Sequence, residues 1–429
     1  MQERITADRW KILQGSLAEA GEALKLLPDQ EGVVRLRIEG ETAKMAGVQW
    51  SSDKWLLVDM LADMDSVVSI QFVFYRKGEV IAPEESNHML SYRLIPLRRM
   101  KAAARLEELA SRRYYLDMLL GGVLEGHASG RPAAVEEMDA MELIVSSPYG
   151  DRFSSLALYD VYLTDALPDM TVEGGPMVDE FGQWRQKDWD TKIHSEEELI
   201  TYLKEEYKAA LESPGYPEGW SRWGGWLGKR FEPTGFFRTH HDGRRWWLVD
   251  PDGYAFFSNG MCYGSRMGVY GFTDRRESLF SWLPGLDDPA YKDAWTTADR
   301  IPEFAKRNGP GAGSDRRMFN FAIANMIRAF GSDGWWEAWL TINAARLKSW
   351  GFNTIGVGVN NYEDENAAEY LEKAQIPFVY TLKKLPRTNV RIFRDFPDVY
   401  SKAFAEQAQD FARSQLGGLV GNPYLIGYF

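Results

Sequence analysis

Two groups of acids are spaced closely enough to suggest paired-carboxylate chemistry: Glu363, Asp364 and Glu365, and further on Asp395 with Asp398. Two carboxyl groups about 5–5.5 Å apart can divide the work at a glycosidic bond, one protonating the leaving oxygen and the other attacking the anomeric carbon. Both groups, however, stand where a helical pattern begins, and there an acid satisfies orphan N–H groups and the helix dipole. We read them as helix starts. A second set of residues lies where strands end: Asn259, Tyr263 and Arg266, then Asn360 and Asn361, then Lys383 and Lys384. Amide and guanidinium groups suit vicinal hydroxyls because they form pairs of oriented hydrogen bonds. Each position equally suits a polar residue that stabilises a loop, and Asn-Asn is an ordinary turn dipeptide.

Other reactive side chains offer less. Cys262, the single cysteine, has no Cys-His signature around it and reads as packing at a strand end. His240 and His241 are neighbours, and neighbours on a strand point to opposite faces and do not chelate one ion. No metal and no cofactor is expected. Sixteen tryptophans are present, seven of them from Trp184 to Trp247. An indole face stacks on the C–H side of a sugar ring and fills a core equally well, and clustering alone favours the core or domain-interface reading.

Bulk properties narrow the partners. Sixty-two acidic against fifty basic side chains give a charge of −12, which repels phosphate backbones and anionic membranes. Hydrophobic content of 45% and charged content of 26% are those of a soluble globular protein, and no run reaches the ~18–20 apolar residues that span a bilayer. The start, "MQERITADRW", lacks an apolar signal region, so a cytoplasmic location is expected, or secretion if the true N-terminus lies upstream.

Positioning these residues takes more than one core, since 429 residues exceed a single ordinary domain. After an N-terminal extension (1–30), residues 31–168 read as a β-sandwich. "VVRLRIEG" alternates Val34, Leu36 and Ile38 with Arg35, Arg37 and Glu39, and "VVSIQFVFYRKG" puts Val68, Ile70, Phe72 and Phe74 on one face. "MKAAARLEELASRRYYLDMLLGG" interrupts as a helix or a long insertion. A Trp-rich linker (169–235) holds one helix: Ser195 and Glu198 form a capping box, and Ile200, Leu203, Tyr207 and Leu211 make the apolar stripe.

From 236 to 429 the pattern becomes alternating. Asp-Gly dipeptides at 242–243 and 252–253 signal hairpins. Helices are expected over about 315–329 and over "GWWEAWLTINAARLKSW", closed by Gly351. With "YAFFSNGM" as the first, four short non-alternating strands follow, the others being "NTIGVGV", "IPFVYTL" and "YLIGYF". Strands of that kind are buried on both faces of a parallel sheet. No Gly-rich phosphate loop follows the first, so half of a (β/α)8 barrel fits better than a doubly wound sheet. The fold class is therefore multidomain: an N-terminal sandwich followed by barrel strands one to four.

"DEFGQW", "GRRWWLVDPDGYAFFSNGM", "RLKSWGFNTIG" and "NPYLIGYF", in that order, resemble the β-agarases of glycoside hydrolase family 50, within the large clan of (β/α)8 retaining glycosidases. The resemblance covers about residues 170–429, and the preceding sandwich matches the carbohydrate-binding-module-like domain of that family. It implies retaining hydrolysis of β-linked galactose-containing poly- or oligosaccharide, with a carbohydrate partner and no cofactor. It also implies an Asn-Glu pair, whose Glu is the general acid/base, just after Phe429, and a nucleophilic Glu at the end of the seventh strand. Neither has a counterpart in residues 1–429, so this chain alone is expected to be inactive and to associate through an open barrel edge as a dimer or aggregate. For substrate contacts the strand ends give Asn259, Tyr263, Arg266, Asn360, Asn361 and Lys383. A different class of function is a non-catalytic carbohydrate-binding protein with a vestigial half barrel. Isomerase or aldolase chemistry would call for a metal cluster, a Schiff-base lysine or a phosphate site, and none has a signature here.

Overall fold

The computed structural model describes residues 2–428 apart from 19–21, 65, 77–87, 112–121, 151–152, 171, 173, 275, 301–315, 357–364, 383–385, 387–390 and 394–395. The described residues fall into two compact units, each assembled from separate stretches of chain. The first takes Met1–Asp190, Tyr270–Leu286 and Trp295–Phe319, and the second takes Thr191–Val269, Asp287–Ala294 and Asn320–Phe429.

Two large antiparallel sheets build the core of the first unit, beside a small third one of Gly271–Phe272, Arg317–Phe319 and Trp295–Thr297. One runs Met100–Arg105, Trp55–Asp63, Ser155–Thr164, Leu24–Leu27 and Ser16–Ala18, with Gln2–Arg4 joined to Ser155–Thr164. The other runs Val123–Gly130, His88–Leu94, Val68–Tyr75, Ala140–Ser146, Val34–Glu41, Lys44–Met45 and Val48–Gln49, with Lys11–Gln14 on Val34–Glu41. Val34, Leu36 and Ile38 are fully buried, as are Ile70, Phe72 and Phe74, and both sheets feed one hydrophobic cluster. On the opposite face Glu142, nearly buried, accepts from the guanidinium groups of Arg35 (2.5 Å) and Arg37 (3.0 Å). Residues 2–27 contribute strands to both sheets.

The interrupting segment, read as a helix or a long insertion, does not begin as a helix. Met100–Arg105 is a strand pairing with Trp55–Asp63, and Leu106–Ala110 is a short 3-10 turn. Ala102, Ala103 and Ala104 are buried there, so tertiary packing overrides the helix propensity of alanine. The rest of that segment, 112–121, lies outside the described residues. Leu279, far along the chain, completes the core cluster, while its carbonyl accepts from the amides of Met177 (2.8 Å) and Val178 (2.9 Å).

In the second unit the helix Glu196–Leu211 begins as its capping residues require. Ser195 Oγ accepts from Glu198 N (3.1 Å), and the Glu198 carboxylate reaches back to His194 N (2.8 Å). Only Leu199 of this helix is buried, while Tyr207 packs edge-on against Phe330 (5.4 Å). The Asp-Gly hairpins form a four-stranded antiparallel sheet ordered Trp226–Arg230, Tyr254–Phe256, Trp246–Val249, Arg238–His241. Gly243 and Gly253 adopt φ +90° and +94°, the left-handed values their turns need.

Four parallel strands in chain order, Gly260–Met261, Thr354–Ile355, Phe378–Tyr380 and Leu425–Tyr428, make a half-barrel sheet. The expected first strand "YAFFSNGM" is thereby divided. Tyr254–Phe256 belongs to the antiparallel sheet, and the parallel strand begins only at Gly260. Between the first two parallel strands the helix Phe321–Ser349 is broken at Gly331 (φ +77°, ψ 169°), giving the two expected helical segments. The first starts later than expected because Asn320 caps it, accepting from Ala322 N and Ile323 N. The second ends at Trp350 before Gly351 (φ +79°). Helices Glu365–Ala374 and Lys402–Leu416 make the remaining connections.

Candidate functional site

The sheet has two ends, and the predicted residues divide between them. At the starts of the strands Asn353, 1% exposed, is the central group. Its Oδ1 accepts from Asn259 N (2.8 Å) and Thr354 Oγ1 (3.2 Å), and its Nδ2 donates to Gly224 O (2.8 Å) and Phe257 O (2.9 Å). This set of bonds bends the chain after Phe256 and splits the expected strand. Asn259 sits at this same end: its side chain donates to Gly351 O (3.1 Å), and its carbonyl accepts from Asn353 N (2.9 Å). Its amide thus joins the turn that closes the long helix, at the opposite end of the strand from Tyr263.

Asp250, fully buried, supports this floor by accepting from Ser221 Oγ (2.6 Å), Tyr254 N (2.8 Å) and Asp252 N (3.0 Å). Burial pushes its carboxyl above the ordinary carboxylate value, and the Ser221 and Tyr254 bonds oppose that rise. Gly224 approaches so closely that an added Cβ would lie 2.4 Å from Asn353 Cβ, at a φ of +86°. Gly224→Ala is therefore expected to lower the stability of this unit by about 2–3 kcal/mol, read as a shift in its urea midpoint. A shift too small to measure would mean that the backbone is not tightly held there.

The C-terminal ends of barrel-type strands are where such sheets place their chemistry. Directly after Gly260–Met261 stand Cys262, an exposed free thiol, and Tyr263, 40% exposed with φ +59°. The Arg266 guanidinium lies 4.1 Å from the centre of the Tyr263 ring, and Arg266 N donates to Tyr263 O (2.9 Å). Asn343 holds the loop from below: its Nδ2 donates to Gly264 O (2.7 Å) and to the hydroxyl oxygen of Tyr370 (2.7 Å). Tyr370 is fully buried, which drives its phenol pKa far up and keeps it neutral. Tyr263 and Arg266 are thus brought together, whereas Asn360, Asn361 and Lys383 lie outside the described residues, as do Glu363, Asp364 and Asp395. Asp398 accepts from Tyr400 N (3.1 Å) in the turn before the last helix, while Ser401 supplies the cap by accepting from Phe404 N (3.1 Å).

Asn343 and Tyr370 were not singled out from the sequence. The available signal was an amide inside the buried run Ile342, Ala344 and Leu347. The tryptophan cluster proves mixed. Trp223 is buried, and Trp247 lies between Arg245 (3.8 Å) and Lys229 (4.2 Å), but Trp226 and Trp246 are 56% and 71% exposed. Among the described residues no three His, Cys, Asp or Glu side chains gather to hold a metal ion, and no helix is long and apolar enough to cross a membrane.

No protein-family profile matches the sequence. Beta-agarase B of Vibrio sp. (strain JT0107) is 32% identical over 201 residues, which is 42% of this chain and 20% of that protein. Beta-agarase A of the same strain is 26% identical over 216 residues, 46% of this chain and 19% of that protein. The matched stretch therefore spans about a fifth of the length of these curated relatives. The crystal structure of an agarase, AgWH50C, shares the fold with a TM-score of 0.52 at 18% identity, covering 99% of this chain and 61% of that one. Over the stretch that it shares with these relatives, the chain is similar in sequence to β-agarases, and it shares its fold with an agarase.

Proposed function

We propose that this chain carries the substrate-binding half of a retaining glycosidase acting on β-linked galactose-containing poly- or oligosaccharide. The observation that carries the reading is the half-barrel sheet of four parallel strands in chain order, lying in a protein with a 201-residue similarity to a β-agarase. In this reading the sheet is one half of a (β/α)8 barrel and the N-terminal sandwich is a carbohydrate-binding-module-like domain. The sugar rests against the C-terminal strand ends, where Tyr263 and Arg266 stand, and Asn360, Asn361 and Lys383 are proposed as further contacts from the sequence. The acid/base and nucleophile are two glutamates from sequence beyond Phe429, and without both carboxylates a glycosidic bond has no low-barrier route.

The test is direct. Purified residues 1–429 should release no reducing sugar from agarose or neoagaro-oligosaccharides, and joining the second half of the barrel, in cis or as a separate chain, should create activity. Turnover by residues 1–429 that disappears in Glu363→Gln or Asp395→Asn would place the reaction elsewhere. A second reading, a non-catalytic carbohydrate-binding protein, is favoured by the exposed Trp226 and Trp246. It predicts polysaccharide binding that Trp246→Ala weakens, with no activity gained from the added half.

A further inference from the structure

Tyr263 occupies a backbone conformation that a bulky residue adopts only when its surroundings hold it there: φ is +59°, where glycine or asparagine would sit with less strain. Three bonds enforce it. Arg266 N donates to Tyr263 O (2.9 Å), Gly264 N donates to Met261 O (3.3 Å), and Gly264 O accepts from Asn343 (2.7 Å), itself tied to the buried Tyr370. The ring is not needed for packing, since it stays 40% exposed and lies outside the buried core. Yet it is fixed in direction by the Arg266 guanidinium, 4.1 Å from its centre. A strained, exposed, immobilised aromatic ring at the C-terminal end of a parallel strand has a purpose in solvent rather than in the fold.

We infer that Tyr263 is a stacking platform for an uncharged pyranose ring, the guanidinium of Arg266 covering one aromatic face and the C–H face of a galactose unit seating on the other. Because the ring is held in place before the sugar arrives, binding loses little side-chain freedom. The contact rests on the carbohydrate reading above and specifies which residue stacks and why its backbone is strained.

Calorimetric titration of the 429-residue chain with neoagarohexaose tests it. The wild type should bind, Tyr263→Phe should stay within about twofold, and Tyr263→Gly should bind about tenfold more weakly, as expected for a lost aromatic contact. The same glycine variant should melt at or above the wild-type temperature because the strain is relieved. Tyr263→Asn, which also tolerates this φ, should repeat both results if glycine loosens the loop. A glycine variant that binds like the wild type overturns the stacking contact while leaving the carbohydrate reading intact. Loss of binding in step with a lowered melting temperature in both variants makes the ring a structural element and also overturns it. A wild-type chain that takes up no hexaose removes the carbohydrate reading and the stacking contact together.

Discussion

Asn353→Leu is expected to destabilise the second unit by about 3–5 kcal/mol, because it strips four hydrogen bonds from a 1%-exposed side chain and leaves their partners behind. Leucine has the same number of side-chain heavy atoms but is bulkier, so overpacking against Gly224 adds to the lost hydrogen bonding. Gly224 O and Phe257 O lose their donor and Asn259 N–H loses its acceptor, at about 1–3 kcal/mol for each group that stays dry, with water repairing the more exposed ones. Asn353→Asp should be nearly as damaging, since it turns a carboxylate toward two carbonyl oxygens. Urea unfolding followed by circular dichroism would measure both. A change below about 1 kcal/mol in either variant would show that these bonds do not organise the strand starts.

The second large effect concerns association. Gly260–Met261 and Leu425–Tyr428 lie at the two edges of the parallel sheet, each with one strand neighbour among the described residues. The Leu425–Tyr428 edge bears Leu425, Ile426 and a 59%-exposed Tyr428, with no charge or proline to deter pairing. Residues 1–429 prepared as a separate polypeptide are therefore expected to run in light scattering at twice their 49.0 kDa or more. Ile426→Lys should return much of the material to the monomer. A monodisperse 49.0 kDa particle whose second unit unfolds cooperatively would contradict this.

What the sequence revealed, and what it concealed, follows from the range of the forces involved. The capping pair Ser195 and Glu198, the Asp-Gly turns and the glycine at 351 act over a few residues, and each marks its structure correctly. The division of "YAFFSNGM" was not legible because the bend is imposed by Asn353, about a hundred positions away, through its bond to Phe257 O. Met100–Arg105 has the composition of a helix and is a strand because Trp55–Asp63 lies beside it. At the site, Tyr263 and Arg266 could be named from their place after an apolar strand. Their mutual stacking, and the support from Asn343 and Tyr370, depend on two helices and a strand end meeting in space.

The three-part make-up of the first unit has a consequence for how the protein is made. Its hydrophobic cluster includes Leu279, and the unit ends only at Phe319, so the chain passes from one unit to the other and back before the earlier of them is complete. On a ribosome adding about 5–20 residues per second, the strands before Asp190 wait on the order of ten seconds for their last segments. By then the hairpins and the first parallel strand of the second unit have already emerged. The nascent chain must therefore hold two unfinished cores at once, and slower codons between Thr191 and Phe319 should lengthen that exposure and increase dependence on chaperones.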